Sequence, residues 1–122
     1  MIAFLKDWEN TAYPEMIRDL PEVDINVKGI RGWLMQAEEK QVAFFDIQAG
    51  AEVPPHSHCA QFGFVLEGET VMQIGAETKT FRKGDWYYIP DGVVHSASFP
   101  KHLNAIDIFD SPNRYKVRKQ IR

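Results

Sequence analysis

An all-β fold, a small antiparallel β-barrel preceded by an N-terminal arm, is predicted by two features of the sequence. Turn-forming residues recur at short intervals: Gly29, Gly32, Gly50, Pro54-Pro55, Gly68, Gly75, Gly84, Pro90-Asp91-Gly92 and Pro112. The stretches between them are rich in Val, Ile, Phe, Tyr and Trp and carry little helical periodicity, the pattern of a sandwich or barrel of short strands. At 122 residues, 44% apolar and 25% charged, the chain is one domain with enough apolar content for a core of its own.

Taken in order, residues 1–23 form the arm, 24–110 the barrel and 111–122 a C-terminal tail. One or two helical turns are expected over Tyr13–Asp19, with Pro14 suited to a first helical position because it needs no amide donor there. Strands are expected at 24–28, 30–36, 42–48, 51–58, 63–67, 69–74, 77–82, 85–89, 94–99 and 103–109. Gly68 parts two β-runs in Leu66-Glu67-Gly68-Glu69, where positive φ permits a tight reversal. Pro90-Asp91-Gly92 ends one strand and redirects the chain toward His95.

Composition excludes several classes of function. With 14 basic and 17 acidic residues the net charge is −3, so no electrostatic footprint favours nucleic acid. Five of the last nine residues are basic, read as a solvated tail. The single cysteine, Cys59, rules out an internal disulfide and suits a reducing compartment. The N-terminus lacks a basic segment followed by an apolar run, and no apolar stretch reaches the roughly 20 residues that span a bilayer. A soluble cytoplasmic protein with no membrane partner is therefore expected. Ser-His-Asp spacing, a Gly-rich phosphate loop and a CxxC motif are all missing.

The chemistry lies in Gly50-Ala51-Glu52-Val53-Pro54-Pro55-His56-Ser57-His58-Cys59-Ala60-Gln61 and in Gly84 through His95. In an extended segment His56 and His58 share a face and can hold one ion together. With their spaced glycines and proline, the two segments resemble the two-part motif of the cupin superfamily. Gly50, His56, His58 and Gly68 fall on the first motif, and Gly84, Pro90, Gly92 and His95 on the second. Gln61 takes the slot most members fill with glutamate, the His58–Gln61 gap is one residue short, and Phe99 replaces a final asparagine. The tail from Ile106 to Arg114 is similar to the closing strand of single-domain cupins.

The resemblance implies a jelly-roll barrel in which His56, His58 and His95 converge near one mouth on a divalent transition metal ion (Zn, Fe, Ni, Mn or Cu). Gln61 is either the fourth ligand or stands behind the histidines. A glutamine amide is neutral and has no useful basicity. The ion would keep its double charge, act as a strong Lewis acid and attract anionic small molecules. Such a site also lacks the carboxylate of the 2-His-1-carboxylate arrangement of many non-haem iron oxygenases. The family likeness also implies a homodimer, with Phe62, Phe64 and Trp8 as candidates for its contact.

Counting by two from Gln61 and from His95 places Gly63 and Val65, and Ala97 and Phe99, on inward faces. Met72, Trp86 and Tyr88 are expected to complete an apolar, aromatic pocket, in which Gly63 leaves space for substrate or water. His102 is read as a solvent-facing loop residue and Cys59 as an inert thiol pointing away from the metal. Asp46 and Asp107 are candidates for a base or for a histidine's partner, with surface charge the simpler account. Two functions stay open. One is a metal-dependent enzyme of small-molecule metabolism, catalysing isomerase, lyase or cyclase chemistry or dioxygenation. The other is a non-catalytic module that binds or senses a small ligand.

Overall fold

A computed structural model describes residue 11 and residues 13–119 of the chain. Nine strands account for most of it: β1 (Ile30–Gln36), β2 (Gln41–Ile47), β3 (Glu52–His56), β4 (Gln61–Glu67), β5 (Glu69–Ile74), β6 (Glu77–Arg82), β7 (Trp86–Ile89), β8 (His95–Ser98) and β9 (Leu103–Phe109). They form two antiparallel sheets, ordered β1-β2-β9-β4-β7 and β3-β8-β5-β6. The all-β barrel expected from the turn pattern is therefore present. Among the described residues no helix is long and apolar enough to cross a membrane.

The helical turn is α1 (Glu15–Arg18), inside the expected span. Pro14 sits one position earlier than expected, as the extended N-cap with ψ 165°, and its carbonyl accepts from the Ile17 and Arg18 amides. Residues 24–28 do not form a strand; this is a correction. That neighbourhood pairs only through isolated bridges, Glu22 with Trp33 and Val23 with Val117. Residues 22–24 and 116–118 meet there, the Asp24 amide donating to the Lys116 carbonyl and the Arg118 amide to the Glu22 carbonyl, both at 2.8 Å.

Alternation sets what each sheet buries. Along β2, Ala43, Phe45 and Ile47 face the interior, and along β9, Leu103, Ala105 and Phe109 do the same. These side chains form one cluster with Val65, Met72, Tyr87, Ile89 and Phe99 between the sheets. Gly68 is required where β4 reverses into β5, because φ is +92° and a Cβ would lie 1.9 Å from the His102 carbonyl oxygen.

The β3 strand explains how the first histidine is delivered. Pro54 and Pro55 cannot donate to a ladder, and β3 is an edge strand that pairs only with β8. The register shifts between Val53 and His56, after which His56 stands directly opposite His95.

Candidate metal centre

Three histidines from three positions of the fold meet at one end of the cavity between the sheets. His56 ends β3, His95 opens β8, and His58 stands in the loop beyond β3 rather than on it. The expectation that His56 and His58 share a strand face is thus corrected, since the strand ends at His56. The loop takes its place through tertiary bonds: the Gly92 amide donates to the His58 carbonyl at 2.9 Å, and the Asp110 amide to the Ala60 carbonyl at 2.9 Å. The Pro90-Asp91-Gly92 turn therefore both redirects the chain toward His95 and grips the first motif. One potential ligand nitrogen from each ring lies within 4.8 Å of the others. Ring centroids are 4.2 Å apart for His56–His95, 4.7 Å for His58–His95 and 5.0 Å for His56–His58.

Each Nδ1 rests on a backbone carbonyl: His56 on Pro54 at 2.9 Å, His58 on Cys59 at 2.8 Å and His95 on Val93 at 2.9 Å. A carbonyl can only accept, so each Nδ1 carries the hydrogen, and in the neutral ring that leaves Nε2 as the atom with a lone pair for a metal ion. The His58 imidazole is pushed down to about 4, chiefly by burial, with the nearby Arg114 guanidinium contributing in the same direction against the hydrogen bond to Cys59. Burial lowers His95 as well. Neutral imidazoles with their tautomers fixed from behind are the donor set a divalent transition ion takes. On that chemistry the residues present fit such an ion.

Gln61 opens β4 and lines the same cavity. Its Nε2 donates to Asp107 Oδ1 at 2.8 Å, and the Tyr87 hydroxyl donates to the same oxygen at 2.7 Å. Asp107 is 2% exposed and Asp46 is 8% exposed. The surface-charge account of both aspartates is therefore overturned. Burial pushes the Asp107 carboxyl up to about 6, against the pull of its two donors. Asp46 pairs instead with His102, a partly exposed residue of the loop before β9 that is tied to this carboxylate rather than free in solvent.

The cavity is apolar and small, about 80 Å³, lined by the three histidines, Gln61, Asp107, Tyr87, Tyr115 and aliphatic side chains from both sheets. Met72, Ala97 and Phe99 line it. Val65 is fully buried in the core beside it. Gly63 faces inward, but the space above it is filled: a Cβ there would lie 2.1 Å from the Tyr87 ring and 2.4 Å from Asp107 Oδ1. Trp86 and Tyr88 point outward instead, 60% and 52% exposed. The reason is register: Gly63 pairs with Tyr87 and Gln61 with Ile89, and cross-strand partners share a face. Sequence reasoning missed Tyr87 because Trp86-Tyr87-Tyr88-Ile89 has no polar residue to mark its outer face.

Cys59 is half-buried, its Sγ 4.0 Å from His58 Nδ1, and burial pushes its thiol up. Arg114, assigned from sequence to a solvated tail, packs its guanidinium over Tyr115 at 4.3 Å and Phe109 at 5.8 Å. Its Nε is buried without a hydrogen-bond partner among the described residues. The His58 ring lies 5.7 Å from the same Phe109.

The family model for the cupin domain matches residues 43–109, more than half of the chain. The chain belongs to the cupin family. Among solved structures, this cupin is similar to an RmlC-like cupin from Shewanella frigidimarina, with 27% identity and a TM-score of 0.71 over 87% of this chain and 93% of that one. It also resembles KdgF from a Halomonas species, with 24% identity and a TM-score of 0.68 over 75% of this chain and 88% of that one. Salicylate 1,2-dioxygenase from Pseudoaminobacter salicylatoxidans shares the fold at 19% identity, with a TM-score of 0.66 over 79% of this cupin and 31% of the dioxygenase. Comparison with curated proteins gives no match.

Proposed function

We propose that this cupin is a metal-dependent enzyme of small-molecule metabolism that moves a proton on an oxygen-rich anion, in an isomerisation or elimination. The observation that carries this reading is a buried carboxyl, Asp107, in the same apolar cavity as the three clustered histidines. His56, His58 and His95 would hold one divalent ion through Nε2, with Gln61 as a further oxygen donor. Such an ion supplies Lewis acidity, stabilising negative charge on a ligand oxygen.

The chain's own residues do the rest. Asp107 uses Oδ1 to accept from Gln61 and Tyr87, and Oδ2 has no hydrogen-bond partner among the described residues. Oδ2 is then the atom that takes or returns a proton, and a carboxyl lifted to about 6 is matched to that task near neutral pH. The sequence-based case for a non-catalytic sensor rested on a missing base, and the buried Asp107 is a candidate for that base. The apolar walls keep water from competing for the charge.

The test begins with elemental analysis of the purified protein. The metal-loaded cupin is then incubated in deuterated water with a panel of small 2-oxo and hydroxy acids, and solvent deuterium in the acids is read by NMR. Incorporation or conversion by the wild type, lost in Asp107→Asn, is expected. Tight ligand binding with no exchange and no conversion sinks the enzymatic reading and leaves a sensor. Oxygen consumption with substrate cleavage would point to dioxygenation instead.

The outer face of the five-stranded sheet supports a homodimer. Phe62, Phe64, Trp86 and Tyr88 are 38–60% exposed there, with Phe62 stacked on Trp86 at 5.6 Å. Aromatic side chains cover 150–250 Å² each, so these four leave roughly 400 Å² open, within the range of about 300–600 Å² for the largest patch on an ordinary monomer. That is about half of the roughly 800 Å² per partner in a standard interface.

A further inference from the structure

We infer that Asp107 is the residue that turns Gln61 into an oxygen donor for the metal centre, the carboxylate missing from position 61 being returned from β9 as the anchor of the amide. This rests on the metal-site reading above and adds a role for residues that the histidine set does not need.

A glutamine amide has two ends of nearly equal size and opposite character. The nitrogen end donates and the oxygen end accepts, and a cation can be met only by the oxygen. Left free, the side chain can present either end to the cavity. Asp107 removes that freedom: Gln61 Nε2 lies 2.8 Å from Oδ1. The flipped amide would set its oxygen against an acceptor that already receives the Tyr87 hydroxyl at 2.7 Å. Two oxygens at hydrogen-bond distance with no hydrogen between them repel, so the flipped form is excluded by chemistry rather than by shape.

The surrounding residues are built to keep this arrangement. Asp107 is opposite Gly63 in the β4–β9 register, and Tyr87 is opposite Gly63 in the β4–β7 register. The bond from Tyr87 to Asp107 crosses the space where a side chain at 63 would stand, since a Cβ there would lie 2.1 Å from the ring and 2.4 Å from Oδ1. Glycine at 63 is what lets side chains from the two strands flanking β4 meet beneath Gln61. The expectation that Gly63 makes room for substrate is replaced by this role. With Nε2 held by Asp107, the oxygen is the end of Gln61 left free, in a residue that lines the cavity the three histidines share.

The experiment is a double-mutant cycle on metal binding, with Asp107→Ala, Gln61→Ala and the pair, read with Co(II) and Mn(II) by competition against a chromophoric chelator. Outer partners of ligands are generally worth about 10–100-fold in affinity. Asp107→Ala is expected to lose that much in the wild-type background and less than about threefold in the Gln61→Ala background. The visible spectrum of the Co(II) protein is expected to change in the same way in both single variants. Asp107→Asn, which keeps an acceptor but admits the flipped amide, is expected to show a smaller loss of the same kind, and it serves if the alanine variant does not fold. Equal losses in both backgrounds, or a folded Asp107→Ala protein with wild-type affinity, overturn the inference while leaving the metal centre standing. A wild-type protein that binds no divalent ion overturns the metal centre and this inference together.

Discussion

At the scale of single residues the centre is decided by which groups are kept neutral. His58 and Asp107 are both driven toward their uncharged forms by burial, and the two have opposite consequences for pH. Asp107 has its folded value raised from 3.8 to about 6, so the neutral carboxyl stabilises the fold. That contribution is fully present below about 4 and is lost as pH rises through 6. His58 has its folded value lowered from 6.5 to about 4, so its neutral ring stabilises the fold above 6.5, and this is lost as pH falls through 4. In the metal-free protein the two slopes oppose each other over the same window. Replacing Asp107 with Asn removes one and leaves the other. The stability of Asp107→Asn relative to wild type should therefore rise between pH 4 and 6 and flatten above. The rise from 3.8 to about 6 corresponds to a stability change of about 3 kcal/mol at most. Thermal melts with a chelator present, at intervals across that range, check it, and a constant difference would refute it. His95→Ala removes the ligand opposite His56 and should weaken metal binding more than about 100-fold, beyond the loss of an outer partner. Chelator competition measures that directly.

At the scale of elements, register did what residue type could not. Trp86, Tyr87, Tyr88 and Ile89 all suit a buried face, and only the pairing of β7 with β4 sets Tyr87 inward. Along β9 both parities are largely apolar, Leu103, Ala105 and Phe109 on one side and Ile106 and Ile108 on the other. The inward phase that carries Asp107 was thus legible only as one of two choices. The turns were far more legible, because a glycine at positive φ leaves a mark in sequence. Gly68→Ala meets a backbone oxygen that cannot yield, whereas Gly75→Ala, also at positive φ, meets nothing nearer than 3.7 Å. Both variants carry the roughly 1–2 kcal/mol of left-handed strain. Gly68→Ala should cost at least about 2 kcal/mol more, as overpacking against fixed atoms does. Urea denaturation of the pair separates strain from clash, and equal midpoints would refute the contact.

At the scale of the whole molecule the aromatic outer face and the cavity that holds the three histidines lie on opposite sides of one sheet. β4 carries Phe62 and Phe64 outward and Gln61 and Gly63 inward. Association through the outer face would stiffen the strand that holds Gln61. A Trp86→Glu, Phe64→Glu variant is expected to sediment as a monomer where the wild type sediments as a dimer, with its fold intact by circular dichroism. A wild-type monomer at micromolar concentration would dismiss the interface.

The sequence by itself determined the barrel, its turns and the three histidines, because glycines, prolines and imidazoles at fixed spacing are local signals that survive without coordinates. Only the tertiary structure decided what surrounds them. The cavity side of β7, the burial of Asp107 and its hold on Gln61 all depend on which strand lies beside which. Those partners are separated by 46 residues in one case and 20 in another. A strand's sequence records that it has two faces. Which face is the inside is settled by its neighbours.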